Sequence, residues 1–130
     1  MALEGYLIDT NIFLEILLGQ SKKEKCKAFL EKNQGKLFIT DFSLHSIGVI
    51  LIRSRKAAVF EHMGKRFESA VDLIALDDSR SYSEVVRNSR EYRLDFDDAY
   101  QVAAAETYGL TLVTLDKHFK KLNADLILIL

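Results

Sequence analysis

Two kinds of hydrophobic pattern alternate along this chain. Short apolar runs are separated by longer segments in which apolar residues recur at helical spacing, so the runs predict strands and the segments predict helices. The predicted strands are 5–9, 37–40, 71–76, 110–114 and 125–130. The predicted helices are about 11–18, 21–33, 42–54, 56–69, 80–93, 97–108 and 116–121.

The predicted strands have the character of a buried sheet. The segments 37–39 and 112–113 are apolar at every position, which is typical of parallel strands covered by helices on both faces. Gly35 and Gly109 each lie between a helix and a strand, where helices commonly end. We therefore predict a three-layer α/β/α fold with a central parallel sheet of about five strands, formed as a single domain by residues 1–130.

Composition narrows the class of protein. The chain is 48% hydrophobic and 28% charged, which argues against disorder, and its net charge of −1 argues against a protein that coats nucleic acid. The single cysteine, Cys26, excludes an internal disulfide framework and is expected to be a small buried hydrophobe. Glu4 and Asp9 interrupt any signal-peptide core, and the apolar run 126–130 is too short to span a bilayer. We therefore expect a cytoplasmic protein without a membrane partner.

Three aspartates follow the predicted elements in a way that suggests a shared site. Asp9 comes directly after the first strand, Asp116 follows the fourth strand, and Asp98 lies at the start of an alanine-rich helix. The carboxyl ends of parallel strands meet at one edge of a sheet, where ligands bind, so these three side chains should converge.

The helical periodicity of the alanine-rich segment separates its two adjacent aspartates. Positions 98, 102 and 105 share one helix face, which predicts that Asp98 lies on the stripe that packs against the sheet. Asp97 aligns instead with Gln101 and Ala104, in a row that we expect to be more exposed. A carboxylate on the buried stripe needs a partner, because burying an uncompensated charge is costly.

Clustered carboxylates repel one another unless a cation joins them. An all-oxygen cluster suits Mg²⁺ or Mn²⁺, which can acidify a bound water and stabilise the transition state of phosphoryl chemistry. The residues expected to orient the carboxylates are Thr10, Asn11 and Thr114. The alternative is that each aspartate only caps a helix, with Asp95 and Asp98 forming one capping arrangement.

The motifs that contain these aspartates resemble those of a known family. Ile8-Asp9-Thr10-Asn11, Asp98-Ala99 and Leu112-Val113-Thr114-Leu115-Asp116-Lys117-His118-Phe119 are similar, in order and spacing, to the motifs of PIN-domain proteins of the VapC ribonuclease-toxin type. The resemblance implies a Mg²⁺- or Mn²⁺-dependent ribonuclease acting on single-stranded RNA, usually a homodimer and often inhibited by a small antitoxin protein. It assigns catalysis and metal binding to Asp9, Asp98 and Asp116.

Basic residues beside the closing motif are candidates for RNA contacts. Lys117, Lys120 and Lys121 directly follow Asp116 and could bind backbone phosphates near the site.

One position departs from the family pattern. Ser46 occupies the place of the family's second acidic residue, a glutamate, and a hydroxyl is a weaker metal ligand than a carboxylate. Asp41, His45 or Asp97 could compensate, although Asp41 is also expected to be the N-cap of its helix. Two functions therefore stay open: a ribonuclease with one ligand missing, or a non-catalytic PIN domain that binds RNA or a protein. A response-regulator domain fits poorly, because its last strand should end in a lysine.

Overall fold

A computed structural model describes residues 4–130, except for the side chains of residues 67 and 68. Its five strands form one parallel sheet in the order β3-β2-β1-β4-β5. The strands are β1 (Tyr6–Ile8), β2 (Leu37–Thr40), β3 (Asp72–Ile74), β4 (Thr111–Thr114) and β5 (Ile127–Ile129). The helices are α1 (Thr10–Leu17), α2 (Lys23–Lys32), α3 (Asp41–Arg53), α4 (Ala57–Ala70), α5 (Ser79–Tyr92) and α6 (Phe96–Tyr108), with a 3₁₀ helix at Lys117–Lys121.

Helices cover both faces of this sheet. Successive strand residues point to opposite faces, so Leu7 belongs to a core shared with α5 and α6, whereas Ile8 belongs to a second core built with α1, α2, α3 and α4. Leu112 and Val113 divide in the same way. The prediction of a three-layer α/β/α fold with five parallel strands is confirmed.

Strand register brings the first and fourth strands to the same edge. Ile8 pairs with Val113, and the backbone N–H of Asp9 donates to the carbonyl of Val113 at 2.9 Å. The residue after β1 therefore lies directly beside Thr114, the last residue of β4.

The structure corrects some local expectations. The segment predicted as a helix at 116–121 is a 3₁₀ helix, and α2 begins at Lys23. Gly109 ends α6 with φ +67°, as predicted, whereas α2 ends at Lys32, before Gly35. Cys26 is buried with a free thiol, as expected. Within residues 4–130, no helix combines the length and apolar character needed to cross a bilayer.

Candidate functional site

A cleft of about 420 Å³ opens at the carboxyl edge of the sheet. Asp9, Asp98 and Asp116 all line it, so the structure brings together the three aspartates that the sequence pattern groups. They come from the end of β1, the first turn of α6 and the residue before the 3₁₀ helix. The lining also includes residues from α1 and α3, so four segments that are distant in sequence enclose this space.

Asp9 is buried and is held by neutral donors. Its Oδ2 accepts a hydrogen bond of 2.7 Å from the Thr114 hydroxyl. Its Oδ1 accepts from the Thr10 backbone N–H at 2.8 Å and from Gln101 Nε2 at 3.2 Å. Burial raises the pKa of the Asp9 carboxyl, and these three hydrogen bonds oppose the shift. Asp9 is thus both the N-cap of α1 and a residue of the cleft.

Thr114 connects Asp9 to the segment that contains Asp116. Its hydroxyl accepts hydrogen bonds from Asn11 Nδ2 at 3.2 Å and from the backbone N–H of Asp116 at 3.0 Å. Because both contacts use its lone pairs, its single proton is donated to Asp9. Asn11 also accepts from the backbone N–H of Leu115 at 3.2 Å, which fixes the chain after β4.

Asp98 differs from Asp9 because no described side chain or backbone group holds its carboxylate. The capping role belongs to Asp95, whose Oδ1 accepts from the backbone N–H of Asp98 at 3.1 Å. Among the described residues, none donates a hydrogen bond to the half-buried Asp98 carboxylate. Desolvation raises the pKa of Asp98 to about 7, with smaller effects of the same sign from Asp95, Asp9 and Asp116.

Asp116 caps the 3₁₀ helix and also lines the cleft. Its Oδ1 accepts from the backbone N–H of His118 at 2.8 Å and so caps the 3₁₀ helix. Asp116 and Asp9 therefore fit both interpretations of the sequence, since each caps a helix and faces the cleft.

The carboxylate oxygens in the cleft are ligands of the kind that a hard divalent cation prefers, but they are not close enough together to coordinate one ion. No lysine or arginine lines the cleft among residues 4–130, so the negative charge of the aspartates lacks a neutralising partner there. In the same part of the chain, no group of three His, Cys, Asp or Glu side chains is close enough together to hold a metal ion. Carboxylate oxygens are the ligands that Mg²⁺ and Mn²⁺ prefer, but these side chains would have to move closer to share one ion.

The position of the missing glutamate lies in the same cleft. Ser46 lines it from α3, beside His45, and Asp97 lines it from α6. The Ser46 hydroxyl forms no hydrogen bond with any described residue. Asp41 does not line the cleft, and its Oδ1 accepts from the Tyr100 hydroxyl at 2.8 Å.

The expected N-cap of α3 is wrong by one residue. Thr40, at the end of β2, caps α3 by accepting from the backbone N–H of Ser43 at 3.0 Å, and Asp41 is the first residue of the helix.

The three lysines predicted to contact RNA are exposed on the 3₁₀ helix and do not line the cleft. Lys121 Nζ lies 3.2 Å from His118 Nε2, and Lys117 directly follows Asp116 in the chain. They stay candidates for contacts with a strand that enters the cleft from this side.

Sequence reasoning missed Gln101. The helical pattern placed it and Ala104 in an exposed row, but the structure buries both, because α6 packs against α5 and Gln101 also contacts the ends of β1 and β2 and the start of α3. A glutamine among the otherwise alanine-rich residues 99–105 was the available signal, since a buried amide needs polar partners.

Comparison with known proteins identifies the family. The PIN-domain family model matches residues 6–125, so the chain belongs to the PIN-domain family. No curated protein sequence matches it significantly.

Solved structures with the same fold include toxins and their complexes. A toxin–antitoxin complex from Klebsiella pneumoniae contains a chain with TM-score 0.79 and 20% identity, over 95% of this chain and 96% of that one. VapBC2 from Rickettsia felis, bound to a DNA fragment from its promoter, gives TM-score 0.71 and 19% identity over 96% of each chain. Mycobacterium tuberculosis VapC20, described as a toxin that cleaves the sarcin-ricin loop, gives TM-score 0.69 and 16% identity over 89% and 93%.

Removing the uncompensated charge of Asp98 should stabilise the metal-free protein. The pKa of Asp98 is about 7 in the folded state against an ordinary value of 3.8, so its ionisation makes stability fall as pH rises from about 4 to about 7. Asp98→Asn should therefore raise the free energy of unfolding at pH 8 by on the order of 1 kcal/mol, or about 3 °C in Tm, after allowance for solvent screening. Thermal melts with chelator at pH 8 and pH 4 measure this.

The comparison between the two pH values is the control. At pH 4 wild-type Asp98 is largely protonated, and the advantage of the variant should disappear. A variant that is strongly destabilised at both pH values would indicate that Asp98 has a structural role instead.

Proposed function

We propose that this protein is a divalent-metal-dependent endoribonuclease that hydrolyses phosphodiester bonds of single-stranded RNA. The observation that carries the proposal is the cleft that Asp9, Asp98 and Asp116 all line without a neutralising lysine or arginine among the described residues. Membership of the PIN-domain family supports it. VapC20, a sarcin-ricin loop cleaving toxin with the same fold, supports a cleaving role for this chain.

In this proposal the carboxylates hold Mg²⁺ or Mn²⁺, and each has a different freedom to do so. Asp9 is fixed by its three donors and provides a rigid anchor, whereas the Asp98 carboxylate can turn toward an ion without breaking a hydrogen bond with the described residues. Asp116 keeps one oxygen in its cap and has the other available. When bound, the cation would polarise the scissile phosphate and acidify the attacking water.

The residues around the carboxylates would guide the RNA strand. The lysines of the 3₁₀ helix provide positive charge beside an acidic cleft, which favours approach of a phosphate backbone from that side.

A cleavage assay with controlled metal tests the proposal. End-labelled single-stranded RNA should be cut slowly in Mn²⁺, more slowly in Mg²⁺, and not at all in excess chelator. The matched duplex should be largely resistant. Cleavage that persists at full rate in chelator would contradict a metal-dependent mechanism.

We further propose that the chain is the toxin of a toxin–antitoxin pair and forms a homodimer. The toxin–antitoxin complex from Klebsiella pneumoniae, which contains a chain of the same fold, supports a protein partner of this kind. Expressing the chain alone should slow growth of a bacterial host, and Asp98→Asn should remove that effect. Light scattering should give twice the chain mass of 14.8 kDa, and the chain mass itself would contradict the homodimer.

The alternative function is a non-catalytic module that binds RNA or a protein. One reason for it is Ser46, which leaves the cleft without the family's second carboxylate. The other is that, among residues 4–130, no three His, Cys, Asp or Glu side chains lie close enough together to hold a metal ion.

Restoring the missing carboxylate distinguishes the two functions. Ser46→Glu adds an anionic ligand to the cleft, so we expect Mg²⁺ affinity and the cleavage rate in Mg²⁺ to rise about tenfold, or ~1.4 kcal/mol. Isothermal titration calorimetry and the RNA assay measure the two quantities. Ser83→Glu, on the exposed face of α5, adds the same charge away from the cleft and should change neither. If neither wild type nor Ser46→Glu cleaves RNA, the binding module is the better interpretation.

A further inference from the structure

Gln101 is a buried amide with a complete set of partners. It is 3% exposed and lies in the first half of α6, among apolar residues. Its Nε2 donates to Ser43 Oγ at 2.8 Å and to Asp9 Oδ1 at 3.2 Å, and its Oε1 accepts from Thr40 Oγ1 at 2.8 Å. The side chain therefore links the ends of β1 and β2 to α6.

The Asp9 carboxylate fixes which way the Gln101 amide points. An ionised carboxylate can only accept hydrogen bonds, so the NH₂ group of Gln101 faces Asp9 and Ser43. The amide oxygen then faces Thr40, whose hydroxyl donates to it and also accepts from the backbone N–H of Ser43 as the N-cap of α3.

Ser43 strengthens this arrangement from the other side. Its Oγ accepts from the Thr10 hydroxyl at 2.9 Å as well as from Gln101. Both N–H bonds of the Gln101 amide are thus used within the protein, and neither is left to bind a substrate. Such a pattern is typical of a side chain that positions another residue and does not itself take part in a reaction.

The charge of Gln101 matters as much as its position. A lysine or arginine at this place would also hold Asp9, but it would neutralise the carboxylate and reduce its attraction for a cation. A neutral donor fixes the carboxylate and leaves its negative charge available. This preservation of charge is important in a cleft where Ser46 takes the place of a carboxylate.

We propose that Gln101 is a positioning residue for Asp9, and that its amide, held by Thr40 and Ser43, helps to orient the Asp9 carboxylate for binding a divalent cation without adding charge to the cleft. The inference rests on the proposed function only in taking Asp9 as a metal ligand. Gln101 itself contacts neither metal nor RNA in this scheme.

Metal binding by the chelator-treated protein, without RNA, tests the proposal. Gln101→Met keeps the length of the side chain but removes both the donor and the acceptor. We expect it to weaken Mn²⁺ binding about tenfold, the effect typical of losing a group that orients a metal ligand. Titration calorimetry at 10 °C, with circular dichroism to verify that each variant is folded, measures the dissociation constant.

Two further variants separate positioning from a general loss of structure. Gln101→Asn retains an amide but is one methylene too short to reach both Thr40 and Asp9, so it should weaken Mn²⁺ binding in the same direction even if Gln101→Met does not fold. Asn88→Leu removes a buried amide of α5 that donates to Glu106 at 2.8 Å, outside the cleft. This control should lower stability and leave Mn²⁺ affinity unchanged.

The outcomes distinguish this inference from the proposed function. Folded Gln101 variants that bind Mn²⁺ as tightly as wild type would overturn the positioning role alone. Wild type that binds Mn²⁺ but never cleaves RNA would overturn the ribonuclease proposal and leave the role of Gln101 supported by the binding data. Wild type that binds no Mn²⁺ would overturn both.

Discussion

Asp98→Asn should reduce metal-dependent RNA cleavage at least about a hundredfold, equivalent to ~3 kcal/mol of transition-state stabilisation. The Asp98 carboxylate accepts no hydrogen bond from the described residues, so its replacement removes a charged ligand without breaking a contact that holds the fold. The same variant should be at least as stable as wild type without metal. Initial rates at saturating Mn²⁺, together with the Mn²⁺ dissociation constant, measure the effect.

Asp72→Asn is the matched control for this loss. Asp72 is the exposed first residue of β3, so it lies at the amino end of the sheet, away from the cleft. The substitution removes the same charge from the protein and should leave the rate within about twofold of wild type. Equal rates in Asp98→Asn and Asp72→Asn would refute the assignment of Asp98 as a metal ligand.

Thr114→Val should lower the free energy of unfolding by about 3 kcal/mol, or about 10 °C in Tm. The two side chains have nearly the same shape, so the cost comes from polar groups that lose partners. Asp9 loses its shortest hydrogen bond, at 2.7 Å, and the donors of Asn11 and Asp116 lose their acceptor. Each buried group left unsatisfied costs about 1–3 kcal/mol. Denaturant unfolding measures the change.

Thr111→Val gives the reference for this substitution. Thr111 begins the same strand, is only partly buried, and its hydroxyl forms no hydrogen bond with the described residues. A β-branched apolar residue is well suited to a strand, so this variant should be within about 0.5 kcal/mol of wild type. If the two variants lose equal stability, the network around Asp9 does not contribute as its geometry indicates.

Local sequence determined most of the fold, because the apolar residues of most strands and helices in this chain recur with a clear strand or helix periodicity. The apolar segments 37–39 and 112–113 identified buried parallel strands, and Asp9 and Asp116 were placed at one sheet edge by topology alone, since parallel strands end on the same side. The local sequence was a less reliable guide to the N-caps of helices. Thr40 and Asp41 are both good capping residues, but Thr40 is the N-cap of α3 and Asp41 accepts from Tyr100 instead.

Tertiary structure alone decided how each carboxylate is held. Sequence spacing could place Asp9, Asp98 and Asp116 near one another and Thr114 beside them, but it could not reveal that Gln101 also holds Asp9, or that no described residue donates to the Asp98 carboxylate. Gln101 is the strongest example. Helical periodicity assigned it to an exposed row, whereas its partners Thr40 and Asp9 are 61 and 92 residues away in the chain. Contacts over such separations depend on how helices pack against the sheet, and no local pattern in the sequence contains that information.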